Sequence, residues 1–139
     1  MALIEPFEKM GSKYYYIENT RRVSWFSAVN KCQRMGGHLA NLRTQDELTA
    51  IMQIKASTYW VDLTELSEKG TFRSFTTGEP KGIYPQWAAN EPNNALKNEH
   101  CGQVYVSDKS VVLNDHPCET KYFFICEANL PRSIKIVYW

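Results

Sequence analysis

Polar and apolar positions alternate between two periods along the first half of the chain. Lys13-Tyr14-Tyr15-Tyr16-Ile17 is aromatic and β-branched and predicts a first strand. From Ser24 the spacing becomes helical. Trp25, Ala28, Val29, Cys32 and Met35 fall on one face behind a Ser24 N-cap, and Gly36-Gly37 predicts the stop. Thr44-Gln45-Asp46-Glu47 has capping-box form and opens a second helix, whose buried stripe is Leu48, Ile51 and Met52. Tyr59-Trp60-Val61-Asp62-Leu63 reads as a strand, as do Gly102–Val106, Val111–Asn114 and Tyr122–Glu127.

Between these two halves lies a weakly periodic stretch, from about Glu65 to Asn98, punctuated by Gly70, Gly78, Pro80, Gly82, Pro85 and Pro92. Loops of that length inside compact domains are usually functional or disordered. This one carries Phe72, Phe75, Tyr84 and Trp87, which predicts packing against the core. Ile134–Trp139 reads as a further strand or an apolar tail. Two helices early, short strands late and a long loop between them predict an α+β fold.

A length of 139 residues fits one domain, with its core over about 7–128 and a C-terminal extension over 129–139. Sixteen Lys and Arg against fifteen Asp and Glu leave a net charge of +1, which denies a nucleic-acid partner its usual electrostatic footprint. No apolar run approaches the ~20 residues that span a bilayer. Four cysteines (Cys32, Cys101, Cys118, Cys126) allow three pairings and form no C-x-x-C motif. His100 and His116 lie near Cys101 and Cys118, but without the paired hooks of a zinc site. An even cysteine count with 13% aromatics suits a secreted, disulfide-stapled domain. The start Met1-Ala2-Leu3-Ile4-Glu5 has no leader pattern, so a mature, extracellular sequence with its signal peptide removed is expected.

Candidate chemistry concentrates between Asn90 and Asp115. Glu91-Pro92-Asn93 sets two oxygen-bearing side chains about a proline, Glu99 precedes Cys101, and Asn114-Asp115 ends a predicted strand. Three carboxylates and two amide carbonyls make a hard oxygen set, which suits calcium. A cis Glu91-Pro92 bond would turn both flanking side chains toward one point.

These residues give the chain its resemblance to the C-type lectin-like domain. Trp25, Ala28, Cys32, Gly37, Leu39, Ala40 and Glu47 follow that family's two-helix signature, and Trp60-Val61-Asp62-Leu63 stands where the family has Trp-Ile-Gly-Leu. The resemblance runs from about Phe7 to Ala128. It implies an α+β C-type lectin-like fold with Cys32 paired to Cys126 and Cys101 to Cys118. It also implies a calcium and carbohydrate site at Glu91, Asn93, Glu99, Asn114 and Asp115, with Asp115 ligating through both its side chain and its backbone carbonyl. Glu-Pro-Asn resembles the form that takes equatorial 3- and 4-hydroxyls, as in mannose, glucose and GlcNAc, with fucose offering an equivalent pair. Gln-Pro-Asp would reverse the donor and acceptor order and favour galactose.

Two departures stand out. Leu113 replaces the Trp that commonly precedes Asn-Asp, which changes packing and leaves the ligands in place. Asn94 and His100 occupy positions where acids usually hold an auxiliary calcium, so that site is expected to be weak or absent, with Glu65 and Glu68 as remaining contributors. His38, Trp60 and Trp87 read as structural, Lys97 as solvated, and His100 and His116 as flanking the site. The expected partners are glycans at cell or microbial surfaces, held weakly by each site and strengthened by assembly into a homo-oligomer. Two other functions compete: a lectin-like fold that binds protein, with the apolar tail as a contact, and a glycosidase using Glu91 and Glu99. A bound calcium would deny both carboxylates the proton transfer an enzyme needs, so no enzymatic activity is expected.

Overall fold

The computed structural model describes residues 6–92 and 100–129. Along the chain the elements are β1 (Glu8–Met10), β2 (Lys13–Val23), α1 (Trp25–Arg34), β3 (Gly37–Leu39) and α2 (Gln45–Ile51). They continue as β4 (Ser57–Thr64), β5 (Arg73–Ser74), β6 (Cys101–Val106), β7 (Val111–His116) and β8 (Tyr122–Ala128). The strands pair in the order β1-β2-β8-β4-β6-β7, with β3 added to β8 and β5 to β4. The predicted α+β class holds. The tail Ile134–Trp139 lies outside the described residues.

Both helix starts follow the sequence. Ser24 accepts from the Ser27 N–H, and Thr44 and Glu47 form the reciprocal capping box. Gly36, at φ +90°, takes the left-handed turn that ends α1. Gly37 does more than stop the helix: it opens β3, where an added Cβ would collide with the Glu127 carbonyl. The strand expected at Lys13–Ile17 is β2, and it is longer than its aromatic stretch predicts. Pairing with β8 runs from Tyr15↔Glu127 to Glu18↔Phe124 and resumes only at Val23↔Tyr122. Residues 19–22 bulge out in between, tied down by the Glu18 carboxylate, which accepts from Thr20 N, Thr20 Oγ1 and Arg21 N. A polar bulge carries no alternating signal, so the sequence pattern does not announce it.

Period-two alternation on the central strands splits the core between two faces. Phe123 and Ile125 join Tyr15, Tyr59, Val61 and Val104 beneath α2, while Phe124 and Cys126 join Trp25 and Trp60 beneath α1. The two buried indoles are satisfied: Trp25 Nε1 donates to Val61 O at 3.0 Å and Trp60 Nε1 to Val23 O at 2.9 Å. Parallel pairing of β4 with β8 (Tyr59↔Phe123, Trp60↔Phe124) joins the middle of the chain to its last strand.

The disulfides are Cys32–Cys126 and Cys101–Cys118, as the resemblance implies. All four sulfurs are thereby engaged, which removes thiolate ligands for zinc. By chain entropy the 94-residue span contributes about 4–5 kcal/mol and the 17-residue span about 3. The first ties α1 to β8, and the second braces β6 against the turn after β7. Within the long loop Phe72 is buried and meets Trp87 edge-on at 5.0 Å, as expected. Phe75 departs from the expectation, lying 52% exposed against the edge of Trp25.

Candidate functional site

The predicted ligands Asn114 and Asp115 lie inside β7 rather than at its end. The ladder with β6 continues past them, through Gln103↔Asn114 and Gly102↔Asp115 to Cys101↔His116, because the Cys101–Cys118 bridge holds both strands together there. Asp115 is 1% exposed. Its neighbour Asn114 is half-buried, and its Oδ1 has no hydrogen-bond donor among the described residues. Gln103, directly across the ladder, likewise has an Nε2 without a partner among the described residues, yet the two side chains do not bond. A buried amide oxygen without a donor costs roughly 1–3 kcal/mol, so its persistence here demands a reason.

Glu91 is brought to this strand by the end of the long loop. Leu113 N donates to Gln86 O at 2.9 Å and Ala88 N to Leu113 O at 2.8 Å, so residues 86–88 lie as a parallel stub along the edge of β7. The chain then reverses in a turn closed by Glu91 N donating to Ala88 O at 3.0 Å, with Asn90 at φ +67° supplying the left-handed position. The turn that carries Glu91 follows directly on the stub paired with Leu113, the residue before Asn114 and Asp115. The Glu91-Pro92 bond is cis, and Tyr84-Pro85 is cis as well. Asn93 and Glu99, the other two predicted ligands, lie outside the described residues, as do Asn94 and Lys97. Among the described residues no cluster of three His, Cys, Asp or Glu side chains stands ready for a metal.

The carboxylates that remained as contributors to an auxiliary site are engaged elsewhere. Glu65 Oε2 pairs with His100 Nδ1 at 2.9 Å, and Glu65 Oε1 accepts from Gly70 N at 2.7 Å. Glu68 Oε1 is clasped by Arg73 through Nε at 3.0 Å and Nη2 at 2.8 Å. His116 is half-buried: its Nε2 lies 3.2 Å from Tyr122 Oη and its ring meets Trp60 edge-on. His38 and Trp60 are structural, as expected; His38 sits on the Leu39 carbonyl beside Glu127, and Trp60 is fully buried.

One buried carboxylate escaped the sequence reading. Asp62, standing where the family has Gly, is 1% exposed on the α1 side of β4. Its Oδ2 accepts from Ser74 Oγ at 2.5 Å, and its Oδ1 accepts from Thr76 Oγ1 at 3.0 Å and Thr76 N at 3.2 Å. Burial pushes its pKa up to about 6 against the pull of those donors and of His38. With its oxygens so occupied, Asp62 anchors the β5 turn rather than a ligand.

A family model for the lectin C-type domain matches residues 21–128. Accessory gland protein Acp29AB of Drosophila simulans is 40% identical over 126 residues, which cover 88% of this chain and 50% of that protein. The chain thus spans about half the length of that relative. C-type lectin 37Db of Drosophila melanogaster is 34% identical over 123 residues, covering 87% of this chain and 81% of that protein. Among solved structures, the mouse scavenger receptor C-type lectin carbohydrate-recognition domain superimposes with a TM-score of 0.77 at 23% identity, covering 88% of this chain and 94% of that one. A calcium-independent type II antifreeze protein does so at 0.75 and 27% identity, covering 88% and 91%. The two-helix fold, the disulfide pair and the matched span agree: the chain belongs to the C-type lectin domain family.

Proposed function

We propose that the chain is a calcium-dependent carbohydrate-binding domain that prefers mannose-type sugars and works outside the cell. The observation that carries this reading is the buried Asn114 Oδ1, an acceptor with no donor among the described residues, next to the buried carboxylate of Asp115 and on the strand along which residues 86–88 dock. A cation resolves such an oxygen without any hydrogen bond, and the donor set is all oxygen, the preference of calcium. Glu91, Asn93, Glu99, Asn114 and Asp115 would hold the ion, Asp115 through side chain and backbone carbonyl. When bound, calcium supplies coordination places for two vicinal hydroxyls of a pyranose.

The protein side chains then set the hydrogen-bond order. Carboxylates accept from the sugar hydroxyls, and the amides of Asn93 and Asn114 donate to them. Glu91 before Pro92 and Asn93 after it favours equatorial 3- and 4-hydroxyls. Carboxylates held in this way bind rather than transfer protons, so turnover is not part of the function. A single two-hydroxyl contact is weak, with Kd on the order of 1 mM, so useful avidity requires several copies meeting several sugars. Disulfides in both halves of the fold support an oxidising, extracellular setting.

The test is a glycan array probed with a multivalent form of the protein in calcium and in EDTA. Retention on mannose, GlcNAc and fucose in calcium, abolished by EDTA and by Asn114→Ala, is the expected result. Joint replacement Glu91→Gln and Asn93→Asp should move retention toward galactose. Glycan binding that survives EDTA, or an Asn114→Ala protein that binds as before, would overturn the reading.

A further inference from the structure

A second groove lies at the other end of the sheet. The bulge of β2 and the last turn of α1 enclose about 550 Å³ between them. That is within the range of small-molecule sites, and large enough for a segment of a chain rather than one ion. Three cations line it: Arg21 from the bulge, and Lys31 and Arg34 from the helix. The helix dipole accounts for Lys31 and Arg34 at a C-terminus, but not for Arg21. None of the three forms an ion pair among the described residues, and Arg34 reaches only Asn30 Oδ1, at 3.5 Å. Neighbouring Arg22 differs, since its guanidinium lies over the Phe123 ring at 4.4 Å.

The groove's one carboxylate does not compensate them by contact. Glu18 accepts from Tyr16 Oη at 2.8 Å, Thr20 Oγ1 at 2.7 Å, Thr20 N at 3.1 Å and Arg21 N at 3.2 Å. Its charge is thus committed to shaping the bulge that presents the Arg21 side chain toward the helix. Three cations against one carboxylate leave a local excess of two in a chain whose whole net charge is +1. Beneath the charges lie the half-buried Tyr16, Val23 and Met35, with the buried Phe124 ring behind Tyr16 at 6.3 Å. Cationic rims pair with sulfate or carboxylate groups, and Arg does so bidentately. The Tyr16 ring with Val23 and Met35 can meet the C–H face of a sugar ring.

We propose that the groove between the β2 bulge and α1 is a second binding site, independent of calcium, for a sulfated polysaccharide of the glycosaminoglycan class, gripped by Arg21, Lys31 and Arg34. It is distinct from the Glu91–Asp115 region. β2 is four strand spacings from β7 in the sheet order, or ~19 Å at ~4.8 Å each.

The test is titration calorimetry of a heparin-derived hexasaccharide into the protein in EDTA, so that failure of the calcium site leaves the result untouched. Binding should weaken steeply with added salt. Each of Arg21→Ala, Lys31→Ala and Arg34→Ala should cost about tenfold in affinity, with circular dichroism unchanged. A control with the same charge change elsewhere, Lys69→Ala with Lys109→Ala and Lys121→Ala, should bind within about twofold of the parent. The chemically desulfated hexasaccharide, which needs no variant, should not bind. Absence of binding by the parent protein, equal losses in the control, or equal binding of the desulfated sugar would each overturn the proposal. So would tighter binding of phosphatidylserine vesicles through the same three residues, which would assign the groove to a membrane surface.

Discussion

Replacing Asp62 by asparagine isolates the electrostatics of the buried carboxylate. Asp62 is 1% exposed and its pKa is raised from an ordinary 3.8 to about 6, chiefly because burial disfavours the charged form. The sign follows by linkage. The folded state holds the proton more tightly than the unfolded chain, so the associated stability is fully present below pH ~3.8 and is lost as pH rises to about 6. At ~1.4 kcal/mol per tenfold in proton affinity, the loss is about 3 kcal/mol. The amide introduced by Asp62→Asn keeps an oxygen for the Thr76 donors and can turn its NH₂ to Ser74 Oγ, which then accepts. Urea unfolding of both proteins in EDTA, from pH 3.5 to 7.5 with the disulfides intact, reads the effect as a difference, so groups common to both proteins cancel. Relative to wild type, the variant should gain about 3 kcal/mol across that range, mostly between pH 4 and 6.5. A difference that stays flat with pH would refute the reasoning, because the carboxylate would then be as well solvated in the fold as out of it.

Other substitutions test the scaffold and the site. Glu47 accepts from Arg43 N at 2.6 Å and Thr44 N at 3.0 Å and pairs with Lys13 at 2.5 Å. Glu47→Ala should therefore destabilise by about 2–4 kcal/mol in urea unfolding, and Glu47→Gln by less. Burial alone would raise the Glu47 pKa, but these partners hold it below the ordinary carboxyl value. Its contribution is therefore present at neutral pH and lost as pH falls through the folded-state value; an acid limb unchanged in Glu47→Gln would contradict that. Gly37→Ala should lower stability by about 2 kcal/mol, because the added methyl meets the backbone carbonyl of Glu127, which flexible side chains cannot relieve. Asn114→Ala in EDTA should leave stability unchanged or raise it by about 1 kcal/mol, since the oxygen removed has no donor among the described residues. A clear loss of stability in that variant would mean the amide serves the fold instead of a ligand.

How far the sequence could be read depended on how local each signal was. The Ser24 cap and the Thr44–Glu47 box need only three or four neighbouring residues, and both helices begin where those residues stand. Tyr122–Cys126 stands out as an unbroken apolar run because both faces of the strand are buried, and β8 matches the expected strand Tyr122–Glu127 within one residue. Three-residue β1 and β3 carry no such signal, since their ordering comes from their partners: β2 for one, the distant β8 for the other. The β2 bulge was illegible for a related reason, because Glu18 stabilises it through side-chain bonds that leave no periodic trace. At the site, Glu91, Asn114 and Asp115 were legible as oxygen-bearing types. That residues 86–88 would pair with Leu113, at the strand that bears Asn114 and Asp115, was not legible, since that pairing joins segments with no regular pattern between them. Asp62 was visible only as a departure from the family's Gly, and its role needed Ser74 and Thr76 in three dimensions.

Calcium titration followed by calorimetry, on the parent protein stripped with EDTA and then dialysed free of it, tests the central claim most directly. One calcium per chain should bind near neutral pH, and a mannoside added afterwards should release heat only in the calcium-loaded sample. Calcium uptake should disappear in Asn114→Ala and as the carboxylates protonate in acid. Mannoside heats of equal size with and without the metal, or a parent protein that takes up no calcium at millimolar concentration, would contradict the account.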